Sequence, residues 1–86
     1  MKRFDYVIAD PLGIYVSPAS MLARIAKSYG DTMITVAQDG NIVKDSQLIK
    51  LMELGIKHGS IITVTAEGPA EEEAITAIKK FFEENP

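Results

Sequence analysis

Apolar positions in this chain change period several times, and each change marks an element. From Arg3 to Ala9, Phe4, Tyr6 and Ile8 alternate with polar neighbours, the period of a strand with one buried face. Asp10-Pro11-Leu12-Gly13 breaks that strand, because proline lacks a ladder donor and glycine accepts positive φ. Ser17-Pro18-Ala19-Ser20 then predicts a helix start, with Ser17 as cap, Pro18 at the first helical position, and Val16 and Met21 spaced as a hydrophobic staple. Leu22, Ile25 and Ala26 form its inner stripe, Arg24 and Lys27 lie outside, and Gly30 reads as its stop.

Thr32 to Ala37 reads as the second strand. Asp39-Gly40 suits a tight hairpin to a third strand from Asn41 to Lys44. Asp45 or Ser46 is placed to cap a short helix carrying Leu48, Leu51 and Met52 and ending at Gly55. Ile61 to Ala66 is the fourth strand, with Ile62 and Val64 on one face. Gly68-Pro69 opens a last helix whose stripe is Ala74, Ile75, Ile78, Phe81 and Phe82. Glu71, Glu72 and Glu73 fill its first turn and Lys79 and Lys80 lie towards its end, the polarity a helix dipole favours. The order β-α-β-β-α-β-α, with one-sided strands and amphipathic helices, predicts an α+β two-layer sandwich. A mostly antiparallel sheet carries its helices on one face, and residues 1–86 form a single domain.

Composition narrows the class. At 86 residues, with 47% hydrophobic and 24% charged side chains, the chain is an ordinary small globular domain. It buries only about 60–65% of its unfolded surface. Nine basic residues against twelve acidic give a net charge of −3, which argues against sequence-independent nucleic-acid binding. The absence of cysteine removes disulfides, thiol nucleophiles and thiolate metal sites, and fits a reducing cytoplasm. No apolar run approaches the ~20 residues of a membrane span, and Met1-Lys2-Arg3-Phe4-Asp5 has no apolar signal core behind it.

Catalytic side chains are scarce. His58, the single histidine, sits between Lys57 and Gly59 in a polar turn, and one imidazole without companions makes no metal site. The glycines follow no nucleotide-binding pattern, so no cofactor is expected. The run Glu71–Glu73 reads as helix-end charge and Phe81-Phe82 as core. The informative place is the entrance of the first helix, where free N–H groups and the helix dipole suit an anion, with Tyr15, Val16 and Ser17 as candidate residues.

The frame Leu12-Gly13-Ile14-x-x-x-Pro18-Ala19-Ser20 carries a resemblance. So do the later Met52-Glu53-Leu54-Gly55 and Gly68-Pro69-Ala70-Glu71-Glu72-Glu73-Ala74-Ile75. Over essentially its whole length the chain resembles HPr, the histidine phosphocarrier of the bacterial sugar phosphotransferase system. The resemblance implies an open-faced β-sandwich with sheet order 1-4-2-3 and three helices on one face. It also implies a helix entrance reading Leu/Ile-His-x-Arg-Pro-Ala, where the histidine carries phosphate and the arginine organises it. Anchored on Pro18-Ala19, Tyr15 stands at the histidine position and Ser17 at the arginine position. A phosphotyrosine is a stable ester where a phosphoimidazole is a reactive donor, and a phenol with pKa near 10 is a weak nucleophile. Losing the arginine removes a cationic fork for phosphate oxygens.

The resemblance also implies a regulatory serine at the start of the second helix, seven residues before the Leu of a Leu-Gly pair. Counting back from Leu54-Gly55 reaches Gln47, one residue beyond Ser46, which stays the nearest phosphosite candidate. A protein-docking patch is implied on the first two helices. Met21, Leu48 and Leu51 are its apolar candidates, Arg24 and Lys27 its basic ones, and Tyr15 a possible anchor beside it. Leu48 and Leu51 alternatively face the core. Three functions follow as expectations: a binding or regulatory module in sugar uptake or carbon-source control; a phosphoacceptor signalling protein modified on Tyr15 or Ser46; and an activity centred on His58. The expected partners are proteins, either phosphotransferase components or a transcriptional regulator, with no nucleic acid and no membrane. The expected state is a cytoplasmic monomer that is not an enzyme.

Overall fold

The computed structural model of the protein describes residues 1–9 and 16–84; the side chains of residues 16–18 and 48 lie outside that description. Seven elements follow in order: β1 (Lys2–Val7), α1 (Val16–Ser28), β2 (Met33–Gln38), β3 (Asn41–Lys44), α2 (Leu48–Glu53), β4 (Ile61–Glu67) and α3 (Glu71–Glu84). The strands form one antiparallel sheet in the order β1-β4-β2-β3.

Register follows the apolar pattern. Phe4 stands opposite Val64, Val64 opposite Val36, and Val36 opposite Val43, so one row crosses all four strands. Tyr6–Ile62 and Ala66–Ile34 flank that row on the same face. Ile62, Val64, Ala66 and Val36 are fully buried there beneath Leu22 of α1, Leu51 of α2, and Ala74 and Ile78 of α3. On the opposite face Val7, Met33, Ile42 and Ile61 are exposed, as in an antiparallel sheet covered on one side only. α3 packs on β1 and β4, α2 on β3, and α1 against both helices. Phe82 binds the layers together: Tyr6 stacks on it at 4.8 Å, Phe81 meets it edge-on at 5.4 Å, and the Tyr6 hydroxyl donates to its carbonyl at 3.2 Å. That hydrogen bond occupies one of the carbonyls a helix end leaves free.

Turns use the residues their backbones demand. Asp39 and Gly40 have φ of +50° and +83°, the pair of left-handed residues that joins β2 to β3. Gly68, between β4 and α3, has φ +146°, and a Cβ there would lie 2.7 Å from both the Asp31 carbonyl oxygen and Thr32 Cα. Beside it the Thr32 hydroxyl accepts the Ala70 N–H at 2.9 Å. The Glu71 carboxylate takes the Met1 ammonium at 2.9 Å and the Gly68 N–H at 3.4 Å, and these contacts, the ammonium first, lower its pKa.

Helix ends differ from the sequence reading in four places. α1 begins at Val16, so Ser17 lies inside the first turn instead of capping it and Val16 is no staple partner. Proline is tolerated throughout a first turn, where its missing donor costs nothing, so Pro18 did not fix the start. At the other end α1 stops at Ser28 on Tyr29 N–H to Ala26 and Thr32 N–H to Tyr29 bonds, and Gly30 does not take a left-handed φ. The cap position of α2 is Gln47, without a side-chain bond, and not Asp45 or Ser46. α3 continues to Glu84 with no basic residue in its last turn, so its charges favour the dipole at the start only.

Asp45 turns inward instead of capping. Its N–H bonds the Ile34 carbonyl at 2.9 Å, the residue has no exposure, and neither carboxylate oxygen has a hydrogen-bond partner. Burial pushes its pKa up to about 7.

Two predictions follow from this packing. Leu51 is fully buried whereas Ile49, on the same short helix, is 70% exposed. Leu51→Ala is expected to lose about 2–5 kcal/mol in urea unfolding. Ile49→Ala is expected to stay within about 0.5 kcal/mol of the parent. The second concerns pH. Between about pH 4 and pH 7 folded Asp45 keeps a proton that the unfolded chain has released, so rising pH favours unfolding across that window. Its contribution falls by about 4 kcal/mol over that window and flattens above pH 7. Asp45→Asn is expected to flatten this part of the stability profile, measured by urea midpoints from pH 4 to 8; an unchanged slope would refute it.

Candidate functional site

The sheet edge at the end of β1 sets up the region of interest. Val7 pairs with Ile61, and the ladder runs on past both strands: Ile8 N–H donates to Ser60 O at 2.9 Å and Gly59 N–H to Ile8 O at 2.8 Å. The Lys57–Ser60 turn is closed by Lys57 N–H to Ser60 Oγ at 3.1 Å, and Gly59 supplies a φ of +86°. His58 projects from this turn, exposed, with Nδ1 3.0 Å from the Ala9 carbonyl. Since a carbonyl only accepts, Nδ1 carries the proton in this contact.

Tyr15 lies outside the described residues, and of Val16 and Ser17 only the backbone, in the first turn of α1, is described. That helix has no acidic residue in its first turn and Lys27 in its last. The positive end of its dipole is therefore not offset from within the helix. α3 is the opposite case, with Glu71, Glu72 and Glu73 in its first turn. Backbone charge thus favours an anion at the start of α1 over the start of α3.

A second surface lies across α1 and α2, which pack together. Met21 is 43% exposed, and Arg24 and Lys27 are exposed on the same helix. Leu51, expected as a docking candidate, is instead a core residue with no exposure, and the Leu48 side chain lies outside the described residues. The apolar side chains that α2 does expose are Ile49 and Met52, with Lys50 between them. Helical spacing carried that signal. Ile49 and Met52 are three residues apart on one face, and Leu48 and Leu51 share another. The sequence reading placed Met52 on this helix without assigning its face and did not name Ile49.

Ser46 is exposed immediately before the α2 cap, and Gln47 occupies the cap itself. A cleft of about 530 Å³ opens between the end of α1 and the β3–α2 junction, with Lys27, Thr32, Met33, Lys44 and Ser46 among its walls. Phe81 and Phe82 are core, as expected. Among the described residues no three His, Cys, Asp or Glu side chains gather into a metal-binding group, and no helix is long and apolar enough to cross a membrane.

Comparison with known proteins agrees with this architecture. The family model described as PTS HPr component phosphorylation site matches residues 2–84. Phosphocarrier protein HPr of Mycoplasma genitalium is 45% identical over 85 residues, covering 99% of this chain and 97% of that protein. The Mycoplasma pneumoniae protein of the same name is 40% identical over 85 residues, with the same coverage of 99% and 97%. Among solved structures, a histidine-containing phosphocarrier protein from Mycoplasma superposes with a TM-score of 0.89 at 31% identity, covering 93% of this chain and 90% of that one. HPr-C-His of Thermoanaerobacter tengcongensis gives 0.90 at 30% identity, covering 96% and 92%. With nearly the whole length matched and the sheet order in agreement, the chain belongs to the HPr phosphocarrier family of the phosphotransferase system.

Proposed function

We propose that this chain is an HPr-family protein that works by binding other proteins and does not run a histidine relay at the start of α1. The observation that carries this reading is the pair Tyr15 and Ser17 at the positions where the family resemblance, anchored on Pro18-Ala19, puts the phosphate-carrying histidine and its arginine. Chemistry makes the pair consequential. A phenol near pKa 10 is almost wholly protonated at neutral pH, and a phosphate ester formed on it is a poor onward donor. The serine supplies a neutral hydroxyl in place of a charged, two-pronged donor. The positive backbone end of α1 would attract an anion but holds no group here to pass one on.

What such a protein retains is a surface. Met21, Ile49 and Met52 are exposed apolar side chains on two packed helices, with Arg24, Lys27 and Lys50 exposed on the same pair. An apolar patch with basic neighbours suits a protein partner with an acidic rim, either a phosphotransferase component or a transcriptional regulator. A second reading, in which the protein is switched by phosphorylation, is favoured at Ser46 over Tyr15 by one observation. The Ser46 residue is exposed and shares a cleft with Lys27 and Lys44, cations suited to a phosphoserine.

The test uses phosphoenolpyruvate, the system's phosphoryl-donor enzyme and site-resolved mass spectrometry. The native chain is expected to carry no phosphate at residue 15 and to pass none to a downstream transporter component. The double substitution Tyr15→His and Ser17→Arg is expected to raise acid-labile phosphate at residue 15 at least about a hundredfold, modest beside the ~10⁶ that removal of a nucleophile can cost. Normal phosphate transfer through residue 15 of the native chain would end the proposal.

A further inference from the structure

Packing gives no account of Asp45: the residue has no exposure, yet neither oxygen of its carboxyl has a hydrogen-bond partner. A buried group left in that state points to a function outside the static fold. We propose that Asp45 is a proton-operated latch on α2: the neutral carboxyl keeps the helix seated, and loss of its proton releases residues 45–54 while the sheet stays folded. This goes beyond a fall in overall stability with pH, because one segment moves. It uses no residue at the start of α1 and does not depend on what residue 15 carries.

Three observations place the latch. First, the carboxyl sits at the root of the helix. The Asp45 N–H is tied to the Ile34 carbonyl of β2 at 2.9 Å, the Gln47 N–H bonds the Lys44 carbonyl at 3.0 Å, and the Gln47 carbonyl takes the Leu51 N–H at 3.0 Å. Two residues of backbone therefore join the buried side chain to the first turn of α2. Second, α2 has little else to hold it. It is six residues long with no side-chain cap bond at its start, too short to persist without packing. Leu51 is its fully buried anchor, whereas Ile49 and Met52 are exposed. At the far end Gln38 Nε2 donates to the Leu54 carbonyl at 2.8 Å, which makes Leu54 the hinge and Asp45 the end that lifts. Third, water is close. Lys44 and Ser46, the chain neighbours of Asp45 on either side, both line the cleft of about 530 Å³ at the end of α1.

The direction of the switch follows from solvation. An ionised carboxylate without donors is far harder to bury than a neutral acid. The charged groups on the elements around Asp45 are Arg24 and Lys27 of α1, Asp31 in the turn after it, Lys44 of β3, and Lys50 and Glu53 of α2; all six are exposed, and β2 carries none. Among the described residues none is a hydrogen-bond partner of the carboxyl, and burial alone raises its pKa, to about 7. In the released form the carboxylate is hydrated, with Lys27 and Lys44 on the walls of the cleft beside it, and its pKa returns towards the ordinary 3.8. Each release therefore gives one proton to water. The opening constant rises about tenfold per pH unit between about pH 4 and pH 7 and then flattens. Release also uncovers Leu51, so neutral pH presents an apolar side chain of α2 that acid keeps in the core.

Native-state amide hydrogen exchange of the full chain, followed by NMR from pH 5 to pH 8 and divided by free-peptide rates, reads the opening constant residue by residue. The Leu51, Leu54 and Gly55 amides, bonded to the Gln47, Leu51 and Met52 carbonyls, report on α2; those of β4, paired on both sides, report on global unfolding. At pH 7 the α2 amides are expected to open at least about tenfold more often than those of β4, and to gain about a hundredfold between pH 5 and pH 7. Asp45→Asn, and Asp45→Leu as an apolar second variant, are expected to hold the α2 opening constant flat over that range. The proposal is overturned by α2 amides that open no more often than those of β4, by an opening constant unchanged from pH 5 to pH 7, or by the native pH dependence persisting in both variants. Each of those outcomes leaves the reading at residue 15 standing.

Discussion

The structure depends on the pairing of β4 with both β1 and β2 in a single register. Ile62, Val64 and Ala66 point to the helix side with no exposure, and their partners Tyr6, Phe4, Ile34 and Val36 join the core or pack against it, with Lys2 opposite Ala66 at the start of β1. A slip of one residue would turn this set towards solvent and bring Thr63 and Thr65 inward, where their hydroxyls would need new partners. On the open face those hydroxyls are already engaged, Thr65 with Thr35 and Thr63 with the Asp5 carboxylate at 2.7 Å. Apolar burial on one side and polar pairing on the other thus select the same register. The ladder continues past Val7 and Ile61 into Ile8, Gly59 and Ser60, so the same pairing places the His58 turn beside Ala9.

The strands and α3 were legible because their side chains repeat. Phe4, Tyr6 and Ile8 alternate, and Ala74, Ile78, Phe81 and Phe82 recur at helical spacing; all of them meet the core. The Asp39-Gly40 hairpin was legible because few residue pairs accept two positive φ values. Helix ends were less legible, since several short polar residues could serve as caps and only tertiary packing chooses among them. Asp45 and Ser46 both fit a cap by type, yet the Asp45 N–H is drawn to the Ile34 carbonyl, its side chain goes under, and the helix starts after Gln47. α2 was hardest to read, because six residues give fewer than two turns of periodicity. Leu51 and Ile49 look equivalent in composition, and only packing on β3 and α1 separates core from surface.

Asp45 is where the sequence and the fold disagree most. A buried carboxyl without a partner is among the more costly features a small domain can carry. It falls between Lys44, the last residue of β3, and Ser46, and it occupies the stretch where counting back from Leu54-Gly55 sets the serine one residue early. Gln47, not Ser46, occupies the cap position of α2, where its carbonyl accepts the Leu51 N–H at 3.0 Å. The inward aspartate and the cap at Gln47 are two aspects of the same junction.

The family scaffold is fixed by the sheet register and by the helix stripes that cover it. Within the described residues the core is made by the sheet and by Leu22, Leu51, Ile78 and Phe82. Met21, Ile49 and Met52 lie outside that core, as exposed apolar side chains on α1 and α2.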